Sequence, residues 1–524
     1  MIWRFSRTFL KTTKRAALGA AFLLCAPVAW AEDIAVTSAN GGLTLTGRFI
    51  AYDGTYLQIE SAYGPLTVRY GDMTCVGVDC PDPDAYVPTF RFSGASRMAD
   101  VLLPGLIEGF GRSSGYRVAF EQVDSTHATL TFLDDDAPVT VFSLRSTSTD
   151  EGFADLVAYE ADAVMSVREV RPAEVQIVND VGLGRLDDGR QSRIVALDAL
   201  VPIVAPGRDL DAISMRDLSQ IYSGEIKDWA EVGAIAGPVS AHFLDAGAGL
   251  TQGFVDQVVN ARQQGLDPEV VSHPTFDNLI EAVVTDPGAI GLVPWTRAAF
   301  GQQLALSDTC GYRLLPMAES LKAEDYPLTT PLFLYMPQRR QAPIMRDFLA
   351  WLRTPEAQLV VRRSGFVDPA AVPIALSQQG QRFANAIALA GDGVTLDELQ
   401  RMVSVMKLRT RLSTTFRFEA GSSRLDALSR SGLGDLAQGI RAGRYDGRAL
   451  TLIGFSDGRG DAASNKRLSL ERARAVERAL GAALNGIPEA VTVSVDAFGE
   501  ALPMGCDDTT WGRKLNRRVE LWVD

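Results

Sequence analysis

The chain has 524 residues, 46% of them hydrophobic, and a formal net charge of −13 at pH 7. That balance argues against nucleic acid or an anionic membrane surface as a partner, and the length exceeds what one hydrophobic core serves, so three or four domains are expected. With three scattered histidines, five cysteines and no C-x-x-C pair, no zinc-type ligand pattern is present, and neither a metal nor a cofactor is expected.

Residues 1–31 carry a basic start (Arg4, Arg7, Lys11, Lys14, Arg15), an apolar run from Ala16 to Val28 and the small-residue site Ala29-Trp30-Ala31. This is the pattern of a secretory signal peptide. No later apolar run reaches the length of about 18 residues that a membrane span needs, so an exported chain with no membrane span in its mature part is expected. Losing the five basic residues of 1–31 makes the remainder still more acidic.

Residues 32–88 alternate apolar and polar in short runs such as Leu43-Thr44-Leu45-Thr46 and Leu57-Gln58-Ile59-Glu60, separated by turn signals at Asn40-Gly41-Gly42, Asp53-Gly54 and Gly64-Pro65. A small antiparallel β unit is predicted, closed by the proline-rich segment from Pro81. In an oxidising compartment Cys75 and Cys80, five residues apart, are expected to form a disulfide. The pairing of Cys310 and Cys506 is left open.

Over residues 89–368 strands alternate with amphipathic helices, the signature of an α/β architecture. Three small or hydroxyl-rich loops precede helices: Ser93-Gly94-Ala95-Ser96, Ser146-Thr147-Ser148-Thr149 and Asp245-Ala246-Gly247-Ala248-Gly249-Leu250-Thr251. Free N–H groups and the helix dipole make such loops anion sites, although most serines and glycines there serve only as caps. Residues 369–409 lack strand alternation; Leu376–Ala390 and Leu396–Leu408 read as helices around Gly391-Asp392-Gly393, forming a helical linker.

In residues 410–524 the run Ala449–Ile453 reads as a buried strand, followed by helical spacing at Leu468, Ala475, Val476, Ala479 and Leu480. Asp457 then sits in a strand-to-helix loop, with Arg472 in the early turns of the helix. A carboxylate and a guanidinium facing one gap suit a zwitterion, Asp457 accepting from an ammonium and Arg472 forking onto a carboxylate. The segment Gly454-Phe455-Ser456-Asp457-Gly458 also matches a G-x-S-x-G nucleophile elbow. That chemistry needs a downstream histidine, and His127, His242 and His273 all lie upstream. No catalytic set is assigned, and action by binding rather than catalysis is expected.

Two resemblances organise these motifs. Gly454-Phe455-Ser456-Asp457, Asn465 through Leu468-Ser469 to Arg472-Ala473, and Asn516-Arg517-Arg518-Val519-Glu520 resemble the OmpA-like C-terminal domain, a peptidoglycan-binding family, with Phe455 and Ser456 replacing its usual histidine and threonine. The resemblance implies that Asp457 and Arg472, with Asn465 and Arg517, hold the diaminopimelate of a stem peptide. The order of Phe92–Gly111, Gly152–Asp162, Val195–Val204, Leu218–Trp229, Asp286–Gly291 and Tyr326–Leu332 resembles the phosphate-type periplasmic solute-binding proteins of ABC transporters. It implies a two-lobed α/β fold of the type II periplasmic-binding class. The oxyanion set it implies is Ser93, Gly94, Ser96, Thr149, Gly247, Gly249 and Thr251, with Arg168 either a further positive group or a surface residue; Ala248 and Leu250 lack the family's hydroxyls.

The expectation is therefore an α/β multidomain protein of the periplasm, associated with the cell wall. A small β unit precedes a two-lobed binding domain for phosphate or a related oxyanion, served by an ABC permease, and an OmpA-like anchor follows. The rival expectation is an envelope scaffold or sensor whose binding domain has lost its ligand and contacts a protein partner.

Overall fold

The computed structural model describes residues 33–83, 85–245, 249–259, 265–391, 393–419 and 422–524. The signal-peptide assignment and Gly247 lie outside the described residues. Among them, no helix is long and apolar enough to cross a membrane.

Strands Ile34–Ser38, Thr44–Tyr52, Tyr56–Ser61, Gly64–Arg69 and Met73–Val76 form an antiparallel sheet, as the alternation predicts. Ile34, Val36, Leu57 and Ile59 point to its buried face, and the Cys75–Cys80 disulfide ties its last strand to the segment after it. Arg339 fastens the unit to the next domain, donating to Gln58 Oε1 (2.8 Å) and Asp162 Oδ1 (2.6 Å).

The two lobes share one long strand, Ser192–Val204. Its first part pairs antiparallel with Thr329–Tyr335 up to Ala199, beside the first lobe's strands Ala163–Ser166, Thr89–Ala95 and Ala137–Thr147. From Leu200 it pairs with Ala289–Pro294, beside Ser240–Leu244 and Val271–His273 of the second lobe. Eleven of its thirteen residues are buried, because sheet and helices cover both faces, and so it reads as a near-continuous apolar run. Asp198 sits fully buried at the crossover, accepting from Arg97 Nη2 (2.8 Å) and from the backbone N–H of Ala199 and Trp295. Three groups from different segments thus meet one carboxylate where the sheet passes from lobe to lobe.

The C-terminal sheet runs in the order Pro373–Ile374, Thr410–Phe416, Val519–Val523, Ala449–Phe455, Thr492–Gly499. Helices Ala427–Arg441 and Ala462–Leu484 pack on one face. On the other, Leu399, Met402 and Met406 of helix Leu396–Met406 bury Ile453, Phe455, Phe498 and Trp522. The segment read as a linker is therefore the second cover of this sheet.

This domain touches both lobes. A Cys310–Cys506 disulfide joins it to the second lobe. Asp187 and Arg353 of the first lobe's side meet Arg424 (3.3 Å) and Asp435 (3.3 Å). Between them Asp325 accepts from Arg411 Nη1 (2.7 Å), both side chains buried.

Candidate functional site

Two places bear on binding, the seam between the lobes and the loop after strand Ala449–Phe455.

At the seam, Gly94 ends strand Thr89–Ala95 at φ +138°, where a Cβ would lie 2.1 Å from Met165 O. The glycine is required by close strand approach. Ser93 is buried and its hydroxyl donates to Asp155 Oδ2 (2.5 Å), which Arg145 also holds. Ser148 caps helix Thr149–Val157, and the buried Thr149 Oγ1 accepts from Val167 N (3.4 Å). Thr251, also buried, donates to Leu244 O (3.1 Å). Thr149 and Gly249 abut, since a Cβ on Gly249 would lie 2.7 Å from Thr149 Oγ1. Helix starts from the two lobes are therefore in direct contact.

Arg168 is buried over the Phe153 ring. Its Nη2 bonds Asp150 and Glu174, and its Nη1 bonds Glu174 Oε2 (2.9 Å) and Glu169 O (3.0 Å). Burial opposes the charge, but the bonds from Glu174 and Asp150 outweigh it and raise the pKa above the ordinary arginine value. Asp150 also accepts from Gln252 Nε2 of the second lobe (3.0 Å), and Arg171 reaches across to Asp256 (2.7 Å). Charge at the seam is thus balanced by the protein's own carboxylates. Beside it lies a cavity of about 400 Å³ lined by Ser96, Arg97, Thr147, Gly249, Thr275 and Arg297. Arg97 there is held by Asp198 and by Thr296 Oγ1 (2.9 Å), and Arg297 by Asp277 (2.9 Å).

In the C-terminal domain, a Cβ on Gly454 would lie 2.0 Å from Ser469 O. Strand and helix therefore meet backbone to backbone, and the loop between them starts against the helix face that carries Arg472 three residues on. Asp461 caps that helix by accepting from Ser464 N (2.8 Å). Asp457 Oδ2 accepts from Arg517 Nη1 (2.8 Å), and its side chain is 14% exposed. Arg472 Nη1 is buried and has no hydrogen-bond partner among the described residues. Burial and the nearby Arg517 charge lower its pKa, and Asp457 partly restores it. Ser456 Oγ is likewise buried without a partner. Leaving a buried polar group unpaired costs about 1–3 kcal/mol, more for a charged one, so Arg472 Nη1 is a donor open to a ligand group beside the Asp457 carboxylate. Asn465 supports the loop rather than facing the gap: its Nδ2 donates to Glu500 Oε2 (2.5 Å).

The structure thus gathers Asp457, Arg472 and Arg517, with Asn465 behind them. Of the seam residues it brings Ser96 and Gly249 to one cavity and turns Ser93, Thr149, Thr251 and Arg168 toward protein partners. Sequence reasoning missed Asp150, Glu174, Gln252 and Asp256. Asp150 directly follows the second hydroxyl loop, so an acidic residue at a helix start was the available signal. It also missed Asp507, whose Oδ2 accepts from Gly458 N (2.6 Å).

The family model described as PBP superfamily domain matches residues 82–356, just over half the chain. The chain belongs to the PBP superfamily. A second family model, the OmpA family, matches residues 417–517 behind the PBP domain. A phosphate-binding protein PstS from Borreliella burgdorferi is 21% identical over 198 residues, 36% of this chain and 69% of that protein. A peptidoglycan-associated lipoprotein from Pseudomonas putida is 36% identical over 113 residues, 21% of this chain and 63% of that protein. Among solved structures, an ABC-type phosphate transport receptor from Vibrio cholerae aligns with a TM-score of 0.42 at 15% identity, covering 54% of this chain and 100% of that one. The sequence expectation of a PBP-type domain followed by an OmpA domain is borne out.

Proposed function

We propose that this is a periplasmic, peptidoglycan-associated binding protein of the cell envelope that acts by binding rather than catalysis. The observation that carries the reading is the orphaned Nη1 of Arg472 next to the Asp457–Arg517 pair. A diaminopimelate centre supplies what that gap lacks: its carboxylate takes the Arg472 donor, and its ammonium takes the remaining acceptor capacity of Asp457. The OmpA family match and the peptidoglycan-associated relative support it. Co-sedimentation of the chain without residues 1–31 with purified sacculi is the test. The protein pellets with the wall, and Asp457→Ala or Arg472→Ala each weakens retention at least about ten-fold. Unchanged retention in both variants overturns the reading.

The PBP domain is read as a receptor for a small oxyanion of the phosphate class, passed to an ABC permease. Its relatives support this, as do the guanidinium groups of Arg97 and Arg297 lining the interlobe cavity. A second reading, a scaffold whose lobes are held shut by their own side chains, is favoured by Asp150, which holds Arg168 of its own lobe and accepts from Gln252 across the seam. The same chain titrated calorimetrically with inorganic phosphate and then sulfate separates them. Saturable binding at micromolar affinity, about −8 kcal/mol, supports the receptor. Silence with both anions supports the scaffold.

A further inference from the structure

We propose that the junction of both lobes with the OmpA domain is a second ligand site, for a small zwitterion with an apolar body, of the α-amino acid class. The junction encloses a cavity of about 340 Å³, within the range of small-molecule sites. The first lobe contributes Val167 to Glu169, the second Leu250, Phe254 and Val258, the segment between them Glu324 and Tyr326 to Pro331, and the OmpA domain Arg417, Trp511, Lys514 and Leu515.

Two buried atoms of opposite kind lack hydrogen bonds there. Arg417 is 2% exposed; its Nη1 donates to Ala323 O (3.1 Å), while Nη2 has no hydrogen-bond partner among the described residues. The nearest carboxylate oxygens lie 3.6 Å and 3.7 Å from its two terminal nitrogens, on Asp325 and Glu324, beyond good hydrogen-bond range. Glu324 Oε2 is buried and equally without a hydrogen bond. An anion satisfies only the guanidinium and a cation only the carboxylate, whereas an amino acid satisfies both at once.

The rest of the lining agrees. Arg168 is already paired with Asp150 and Glu174, and the remaining charged lining residues, Glu169 and Glu324 against Arg417 and Lys514, are equal in number, which matches a ligand neutral overall. The walls at Leu250, Phe254, Leu328, Trp511 and Leu515 suit an aliphatic or aromatic side chain. Glu324 stands at φ +52°, a conformation glycine favours, so the fold bears backbone strain to hold a carboxylate there. Burial and the nearby Asp426 push Glu324 up to about 7 even though Arg417 and Lys514 pull it down; a ligand ammonium adds the hydrogen-bonding cation that neither of them supplies.

Calorimetric titration of the chain without residues 1–31, using L-leucine and L-phenylalanine, tests the site. L-Leucinamide and 4-methylpentanoate serve as probes lacking one charge each. Saturable one-to-one heat is expected with at least one of the amino acids, with binding at least about ten-fold weaker for each truncated probe. Gly253→Leu fills the cavity from a position where a Cβ meets only Arg168 Cβ, at 3.9 Å, and is expected to abolish binding. Glu324→Gln weakens it about ten-fold, and Asp457→Ala leaves it unchanged, which separates this site from the wall site. No saturable heat with either amino acid, equal binding of leucinamide, or undiminished binding in Glu324→Gln overturns the proposal.

Discussion

Glu324 shows how one residue links burial to pH. Burial raises its pKa from 4.5 to about 7 despite the neighbouring Arg417. A carboxyl with a raised folded pKa binds its proton more tightly in the folded state, so stability declines as pH climbs from about 4.5 to 7 and stays reduced above it. With 19% of the side chain still exposed, the penalty is roughly 2–3 kcal/mol. Glu324→Gln is expected to match the parent in urea denaturation near pH 5 and to exceed it by that amount at pH 8; equal midpoints at both pH values contradict the burial account.

Other residues were legible from sequence to different depths. The Asn516-to-Glu520 motif identified Arg517, which reaches Asp457. It gave no hint that Arg518 and Glu520 are fully buried and paired at 2.8 Å, with Arg382 closing on the same carboxylate at 2.5 Å. The Arg382 contact joins segments 138 residues apart, and no local pattern encodes it. Burial opposes the Glu520 charge, yet Arg382, Arg411 and Arg518 outweigh it and hold the carboxyl below its ordinary range.

Among the elements, helix Leu396–Met406 was readable from its 3.6-residue periodicity. Its partner was not, because periodicity reveals an apolar face without saying what covers it. In the structure that face meets the C-terminal sheet, and Phe455, where the resembling family has histidine, lies fully buried there beneath the Arg518 guanidinium at 4.3 Å. A polar loop position in the motif is thus a core position in this chain. Met402, 1% exposed at the centre of the contact, sets its size. Met402→Ala is expected to cost about 2–5 kcal/mol and Met402→Leu less than about 1.5 kcal/mol, both read from chemical denaturation; a cost near zero for the alanine variant shows that the helices are not part of the domain's core.

For the whole molecule, the two-lobed fold and its C-terminal companion were visible as motif order, since each motif is local. The arrangement between them was not. Cys75 and Cys80 could be paired because they are near neighbours, whereas Cys310 and Cys506 are separated by 196 residues and nothing in the sequence joins them. Replacing both by serine removes the disulfide between the second lobe and the OmpA domain and is expected to lower stability by about 2–5 kcal/mol. Hydrogen exchange is expected to rise at Asp308 to Tyr312 and at Met504 to Asp508 before it rises elsewhere. Uniform exchange in parent and variant contradicts a tie at this place.

The same bridge sets how the protein carries load. Gly458, next to Asp457, bonds Asp507 Oδ2 at 2.6 Å, and Asp507 adjoins Cys506. A pull exerted at the Asp457 loop passes through one hydrogen bond and a short length of backbone into a covalent link with the second lobe. The first lobe is reached through ion pairs at Asp187 and Arg353 and through the main chain, which runs from helix Pro355–Arg363 into strand Pro373–Ile374 of the C-terminal sheet. If the proposed wall contact is made at this loop, tension therefore reaches the two halves of the clamshell by different routes, the second lobe through a side-chain bridge close to the loop and the first through the main chain at the far edge of the sheet.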